Sequence, residues 1–338
     1  MRQVFAQIFG TELGSQLPDV VLAPMSGITD RPFRRAVRRA GGGLVVSEMI
    51  ASHAVLSEVK SELQKLRFSA EEEAPLSIQL AGWDPEIMAE AARIAEQLGA
   101  SMIDINMGCP AKKVTGRMSG SALMAEPERA EQICAAVVDA VSCPVSLKTR
   151  LGVDDAHLNA VDIARRAETA GISLLTVHGR TRAQMYKGSA RWHLVSDVVS
   201  AVSIPVLVNG DITSTQTAQT AQELSGAAGV MVGRAAQGRP WLLAEIAAGL
   251  EAAASGQPSD FQPPDHNQKH QIIITHLDEM FSHYGRSGVR LARKHMASYC
   301  EGLAGGQHLK PELMSADEPE QIFSALNRFF RHAQQDAA

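Results

Sequence analysis

Cys109 stands in the turn Asn106-Met107-Gly108-Cys109-Pro110, directly after an apolar run, whereas Cys134 and Cys143 occupy packing positions on and beside a helical pattern. A cysteine in such a turn is a candidate nucleophile, metal ligand, acid or spectator. No second Cys and no His pair stands at ligand spacing, so no metal centre is expected. An ordinary thiol is protonated at neutral pH and can donate that proton, while Lys112 and Lys113 nearby would favour a nucleophile; both roles stay open. Lys148, in Lys148-Thr149-Arg150, can form a Schiff base, hold an enolate, neighbour an electron-rich cofactor edge or pair with a carboxylate. His178 is a phosphate ligand, an acid or a structural imidazole. Gln79 both donates and accepts and suits the edge of a heterocycle. In Asn209-Gly210-Asp211 and Gly233-Arg234, glycine lets backbone N–H groups approach phosphate oxygens and Arg234 adds charge-assisted bonds. Each segment alone could be a plain turn; the two together favour phosphate.

These residues share a placement. Short apolar, β-branched runs recur at 19–23, 44–47, 76–80, 102–106, 145–149, 174–178, 206–209 and 229–232, and segments with helical spacing, such as 84–100 and 126–141, lie between them. Pro85 and Pro127 suit first helical turns, and Gly99 and Gly171 suit left-handed C-caps. Eight strand-helix repeats over about 230 residues predict an α/β fold, a (β/α)8 TIM barrel. A doubly wound sheet competes, but no G-x-G-x-x-G follows the first run. In such a barrel chemistry sits at the C-terminal strand ends, where Pro24, Met25 and Ser26, Gln79, Cys109, Lys148, His178, Asn209 to Asp211, and Gly233 with Arg234 all fall. A heterocyclic phosphate cofactor lying across those ends is implied. Flavin mononucleotide (FMN) fits, with Lys148 near its N1/O2 edge, Gln79 at the ring and the last two loops at the phosphate.

After the eighth repeat, 252–265 is rich in Ala, Gly, Ser and Pro and reads as a linker. The expected organisation is therefore a catalytic barrel over 1–251 and a small C-terminal helical-bundle domain over 266–338, with helical patterns at 266–284, 288–303 and 318–333. The 338 residues are 45% hydrophobic and 20% charged, enough apolar material for a sizeable core. With 32 Lys and Arg against 37 Asp and Glu, the net charge of -5 excludes coating of nucleic acid by bulk attraction, and any polyanion needs a local patch. Four cysteines without a C-x-x-C pair argue against a disulfide framework. No signal-peptide run and no apolar stretch of about 18 residues is present, so a cytoplasmic protein with no membrane contact is expected. No heptad run demands a protein partner.

The segments LAPMSGITDRPFR (22–34), DINMGCPAKKV (104–114), SGSALM (119–124), LKTR (147–150), TVHGRTR (176–182), VNGDI (208–212) and VGRAAQGRPW (232–241), in that order, resemble the tRNA-dihydrouridine synthases, the bacterial B-type enzymes in particular. The resemblance implies an FMN-bearing barrel and a helical domain that reduce the 5,6 double bond of particular uridines in tRNA, with NADPH recharging the flavin. It implies that Pro24, Met25, Ser26, Gln79, Lys148, His178, Asn209, Gly210, Asp211, Gly233 and Arg234 contact FMN, and that Cys109 is the general acid. Ser26 occupies a position that is often Ala or another small residue in relatives, and 300–314 lacks an arginine pair common near that point.

Two basic clusters are candidates for RNA. Arg286, Arg290, Arg293 and Lys294 lie in an acid-free stretch at helical spacing on one face, and Arg290, Arg293 and Lys294 are the expected tRNA contacts. Arg31, Arg34, Arg35, Arg38 and Arg39 form a second cluster on the first barrel helix; a solvated helix surface is the plain alternative for each cluster. A free-pyrimidine reductase would need neither the helical domain nor its basic face. A non-catalytic RNA-binding barrel would have no use for Cys109, Lys148 and His178.

Overall fold

The structure is a computed structural model describing residues 4–111 and 119–335; Lys112 and Lys113 lie outside the described residues. Eight parallel strands form the barrel: β1 (Val20–Leu22), β2 (Val45–Val46), β3 (Leu76–Ala81), β4 (Met102–Asn106), β5 (Val145–Arg150), β6 (Leu174–His178), β7 (Val206–Asn209) and β8 (Gly229–Val232). Each pairs with the next, and β8 pairs with β1, so the sheet closes without an edge. All eight predicted runs coincide with these strands. A further strand, Ile50–Ala51, pairs with the end of β3. Two residues are too few to show an alternation, so the sequence pattern does not reveal it.

The main outer helices are α1 (Arg31–Arg39), α2 (Pro85–Gln97), α3 (Pro127–Ala140), α4 (Ala160–Thr169), α5 (Ser196–Ala201), α6 (Thr215–Ser225) and α7 (Leu242–Ser255). Pro85 and Pro127 open α2 and α3 as expected, and the Asp84 carboxylate caps α2 by accepting from the Glu86 and Ile87 N–H groups. Gly99 and Gly171 take φ of +101° and +91°, which few other residues tolerate.

Strand periodicity sorts the interior. Val20 and Leu22, Ile103 and Ile105, Leu147, Leu175 and Val177, Val208, and Val230 and Val232 turn outward into the core under the helices. Their alternates, Val21, Met102, Leu174, Leu207 and Met231, turn inward near the N-terminal ends and pack with Val4 and Phe5 of the helix Val4–Phe9, which plugs that end of the barrel. Continuing each inward series toward the C-terminal end gives Asp104 and Asn106, Ser146, Lys148 and Arg150, Thr176 and His178, and Asn209. Period two therefore converts an apolar base into a polar mouth.

The C-terminal bundle consists of α8 (His266–Tyr284), α9 (Gly288–Glu301), α10 (Gly306–Ser315) and α11 (Pro319–Gln335) around their own core, which includes Leu277, Met296, Tyr299, Leu313 and Phe330. The expected start of the linker needs correcting. Ala252 to Ala254 are strong helix formers, so α7 continues to Ser255 and stops at Gly256, which takes φ of +68°. The sequence pattern also missed α10, whose Pro311 and flanking Gly305-Gly306 read as breakers.

The first-helix arginines face protein partners. Arg34 is buried against Glu73 at 2.7 Å, Arg31 pairs with Glu72 at 3.3 Å, and Arg35 and Arg39 both pair with Glu279 of α8. Arg38 donates to the carbonyls of Gly42, Gly43 and Ala74. Their acidic partners come from elsewhere in the chain, which is why the cluster looks unpaired in sequence. Gly238 sits so close to α9 that a Cβ there would lie 2.4 Å from the Ser298 carbonyl oxygen.

Candidate active site

A cavity of about 810 Å³ opens at the C-terminal ends of the strands, within the range of small-molecule sites. The eleven residues expected to contact a cofactor, from Pro24 to Arg234, all line it, and so does Cys109. The fold thus brings together every one of these positions.

The cysteine turn is held from several directions. Asn106 Oδ1 accepts from the Gly108 and Cys109 N–H groups at 3.2 and 2.9 Å, an Asx turn that follows directly from an asparagine at the end of β4. The Cys109 carbonyl accepts from Ser121 Oγ at 2.9 Å, and Arg150 Nε donates to the Gly108 carbonyl at 2.6 Å. Arg150 Nη1 also donates to the Thr181 and Met185 carbonyls, so one guanidinium joins the cysteine turn to the loop after β6. Cys109 itself is half-buried.

Behind it runs a relay of hydrogen bonds. Asn106 Nδ2 donates to Gln79 Oε1 at 2.7 Å, Gln79 Nε2 donates to Asp104 Oδ2 at 2.7 Å, and Ser146 Oγ donates to Asp104 Oδ1 at 2.6 Å. The register that sets Gln79 beside Asp104, and Asn106 beside Lys148, makes these contacts possible. Burial pushes the Asp104 carboxyl up to about 6, opposed by its two side-chain hydrogen bonds and by Lys148.

Lys148 donates to Asn209 Oδ1 at 3.0 Å. Burial, with help from Arg150, lowers its ammonium to about 8. Among the described residues no carboxylate contacts it, and Asp104 acts only from a distance. His178 Nδ1 donates to the same Asn209 oxygen at 2.7 Å, and its Nε2 accepts from Arg180 at 3.4 Å. Burial and three neighbouring cations hold this imidazole well below 6.5. It is neutral, with both nitrogens engaged.

At the last two loops, Trp192 Nε1 donates to the Gly210 carbonyl at 2.8 Å, and Asp211 accepts from Arg180 at 2.6 Å and from the Ala190 N–H at 2.8 Å. Gly210 takes φ of +111°, and a Cβ there would lie 3.0 Å from Ala190 and 3.3 Å from the His178 ring, so only glycine serves. At the cavity mouth two guanidiniums lie near the centroid of the exposed Tyr186 ring, Arg150 at 5.5 Å and Arg234 at 5.3 Å. Asp104, Arg150, Arg180 and Tyr186 are the residues that sequence reasoning did not single out. Period-two alternation inside β4 and β5 could have found Asp104 and Arg150. Arg180 falls inside the TVHGRTR segment without standing out from it, and nothing in the sequence signals Tyr186.

The expected RNA contacts do not act as one face. Arg290 is exposed, Arg293 pairs with Asp317 at 3.2 Å, and Lys294 Nζ comes within 3.3 Å of where a Cβ on Gly27 would stand, at the barrel's first loop. Consecutive helical residues point about 100° apart, which separates Arg293 from Lys294.

The family description "Dihydrouridine synthase (Dus)" matches residues 21–336. A probable tRNA-dihydrouridine synthase of Rhodobacter capsulatus is 49% identical over 314 residues, 93% of this chain and 95% of that protein. One from Rickettsia bellii is 44% identical over 92% of this chain and 94% of its own, and the tRNA-dihydrouridine synthase B of Pseudomonas aeruginosa is 43% identical over 93% of each. With a match that runs through barrel and bundle alike, the chain belongs to the dihydrouridine synthase family.

Proposed function

We propose that the protein reduces the 5,6 double bond of uridines in tRNA to dihydrouridine, with FMN as resident cofactor and NADPH as reductant. The observation that carries this reading is Lys148, a recessed ammonium with no carboxylate contact among the described residues, in the wall of the same cavity as Cys109. Such a cation calls for an electron-rich partner. The cavity residues fit FMN: Lys148 for the N1/O2 edge, Gln79 and the Pro24 to Ser26 segment for the ring, and Gly210 and Gly233 with Arg234 for the phosphate. Asp211 is engaged with Arg180 and serves this end by holding the loop. His178, neutral and bonded through both nitrogens, positions Asn209 and is no phosphate counter-ion.

FMN, when bound, would supply hydride chemistry for uracil C6, with NADPH as its reductant. The remaining chemistry is the chain's own. Cys109 donates its thiol proton to C5 as general acid, and Asn106 and Arg150 fix the turn that carries it. Tyr186 offers an exposed ring at the mouth on which a base drawn out of the tRNA can stack. The bundle over 266–335 would hold the tRNA, with Arg290 and Lys294 toward phosphates and Arg293 in a largely structural part. The names of the relatives support tRNA as the substrate, and a free pyrimidine would leave the bundle without a use. The cytoplasm, where tRNA is modified, is the proposed compartment; among the described residues no helix is long and apolar enough to cross a membrane. No obligate protein partner is proposed.

The test is nucleoside analysis of tRNA from a strain lacking the protein. One dihydrouridine should be missing, and adding back the purified yellow protein with NADPH should restore it. Unchanged dihydrouridine, or a colourless protein that restores nothing, would overturn the reading.

A further inference from the structure

Away from the cavity, three buried side chains converge where the bundle rests on the barrel. Asp30 caps α1, His276 lies on α8 and His295 on α9, with exposures of 3%, 0% and 0%. Their ligand-capable atoms all lie within 4.8 Å of one another. His276 Nε2 and both ring nitrogens of His295 are buried with no hydrogen-bond partner among the described residues, a condition that native interiors seldom tolerate. Packing alone does not account for them. Phe33 lies against both rings at 5.5 and 5.2 Å, and apolar side chains would fill the same space without stranding polar atoms.

We propose that Asp30, His276 and His295 form a site for a divalent transition metal, zinc by preference, that clamps the helical bundle to the barrel. Two imidazoles and a carboxylate are a donor set typical of zinc, with a fourth position left for water. Donors at about 2.1 Å from the ion stand about 3.4 Å apart, so the side chains need draw in by about 1.5 Å at most. The surrounding bonds already orient the ligands. His276 Nδ1 is hydrogen-bonded to the Tyr299 hydroxyl at 2.9 Å, which leaves Nε2 for the metal. Asp30 Oδ1 accepts from the Phe33 N–H, and Oδ2 accepts from the Tyr284 hydroxyl at 2.9 Å. Burial keeps both imidazoles neutral, the ligating form. Glu48 and Lys294 act on Asp30 with opposite signs, so neither charge alone dictates what occupies the site. A cleft of about 170 Å³ between α1 and α8, with His276 in its wall, offers a way in. The sequence predicts no metal centre because these ligands come from three separated helices and share no local spacing.

Full-length protein stripped with a chelator and re-equilibrated with zinc sulfate should retain a single equivalent through gel filtration, read by elemental mass spectrometry, and its thermal midpoint should rise. Cobalt(II) should give d–d absorption bands. Asp30→Asn, which can still cap α1, and His295→Phe, which can still pack on Phe33, should each lose the equivalent and the thermal shift. Should the histidine variant not fold, Asp30→Asn carries the test alone. Wild-type protein that retains no zinc, or an Asp30→Asn variant that retains as much as wild type, would overturn the proposal.

Discussion

Asp104 accepts hydrogen bonds from Ser146 and Gln79 and feels the Lys148 cation, yet burial outweighs all three and pushes it up to about 6. The folded chain therefore holds this proton more tightly than the unfolded chain does. The resulting stability is fully present below the ordinary value near 3.8 and is lost as pH rises through about 6. Asp104→Asn should flatten that part of the profile, so urea titrations at about pH 4 and about pH 7 should differ less for the variant than for wild type. Equal differences would assign the titration to Asp19 or Asp30, the other carboxyls pushed up to about 6. Lys148 titrates in the opposite charge sense: lowered to about 8, it is largely charged at neutral pH and loses its charge above that. Flavin retention should accordingly weaken as pH rises past about 8, and Lys148→Met should weaken it below that, the gap to wild type closing above. Absorbance of the dialysed protein reads both effects; full flavin content in the variant would remove Lys148 from the site.

At the level of elements, α1 is tied to its surroundings by a buried ion pair, Arg34 with Glu73, whose side chains are 2% and 0% exposed. Arg34→Met would leave the buried Glu73 carboxylate with only Arg31, at 3.5 Å, and the Ser69 N–H for partners, and should lower unfolding stability by about 3 kcal/mol. Adding Glu73→Leu should restore most of that loss in chemical denaturation. A double variant as unstable as the single one would mean that packing, and not the stranded charge, sets the cost. The same helix shows what the sequence could and could not convey. Its five arginines suggested an RNA surface because Glu72, Glu73 and Glu279, which neutralise four of them, lie far along the chain. The strands were legible, since β-branched runs and helical spacing are local signals, and so were the polar residues at their ends. Ile50–Ala51 was too short, and α10 was masked by Pro311. In the cavity, the glycines, Cys109 and Lys148 stood out by residue type. Arg180 did not, because its work lies in contacts to His178, Gly188 and Asp211 that only the closed barrel creates.

The whole molecule joins a polar barrel mouth to a helical bundle through α1, α8 and α9, with Tyr284 bonded to Asp30 and Glu279 paired with Arg35 and Arg39. Substrate delivery and chemistry should therefore be separable. Exposed Arg290 on α9 should contact tRNA phosphate, so Arg290→Glu should weaken tRNA binding and reduce the salt slope by about 0.7 to 0.9, while flavin reduction by NADPH is unchanged. Arg293→Ala, which frees Asp317, should change the slope less. Filter binding across a salt series checks both; identical slopes for Arg290→Glu and wild type would move the RNA to another surface. The most direct test follows the reduced protein as it meets tRNA that lacks dihydrouridine. Rapid mixing should show the flavin absorbance of wild type returning as dihydrouridine forms. Cys109→Ala should accept electrons from NADPH normally yet reoxidise with tRNA about 10² to 10⁴ times more slowly. Reoxidation by tRNA at the wild-type rate in Cys109→Ala would contradict the role assigned to this thiol.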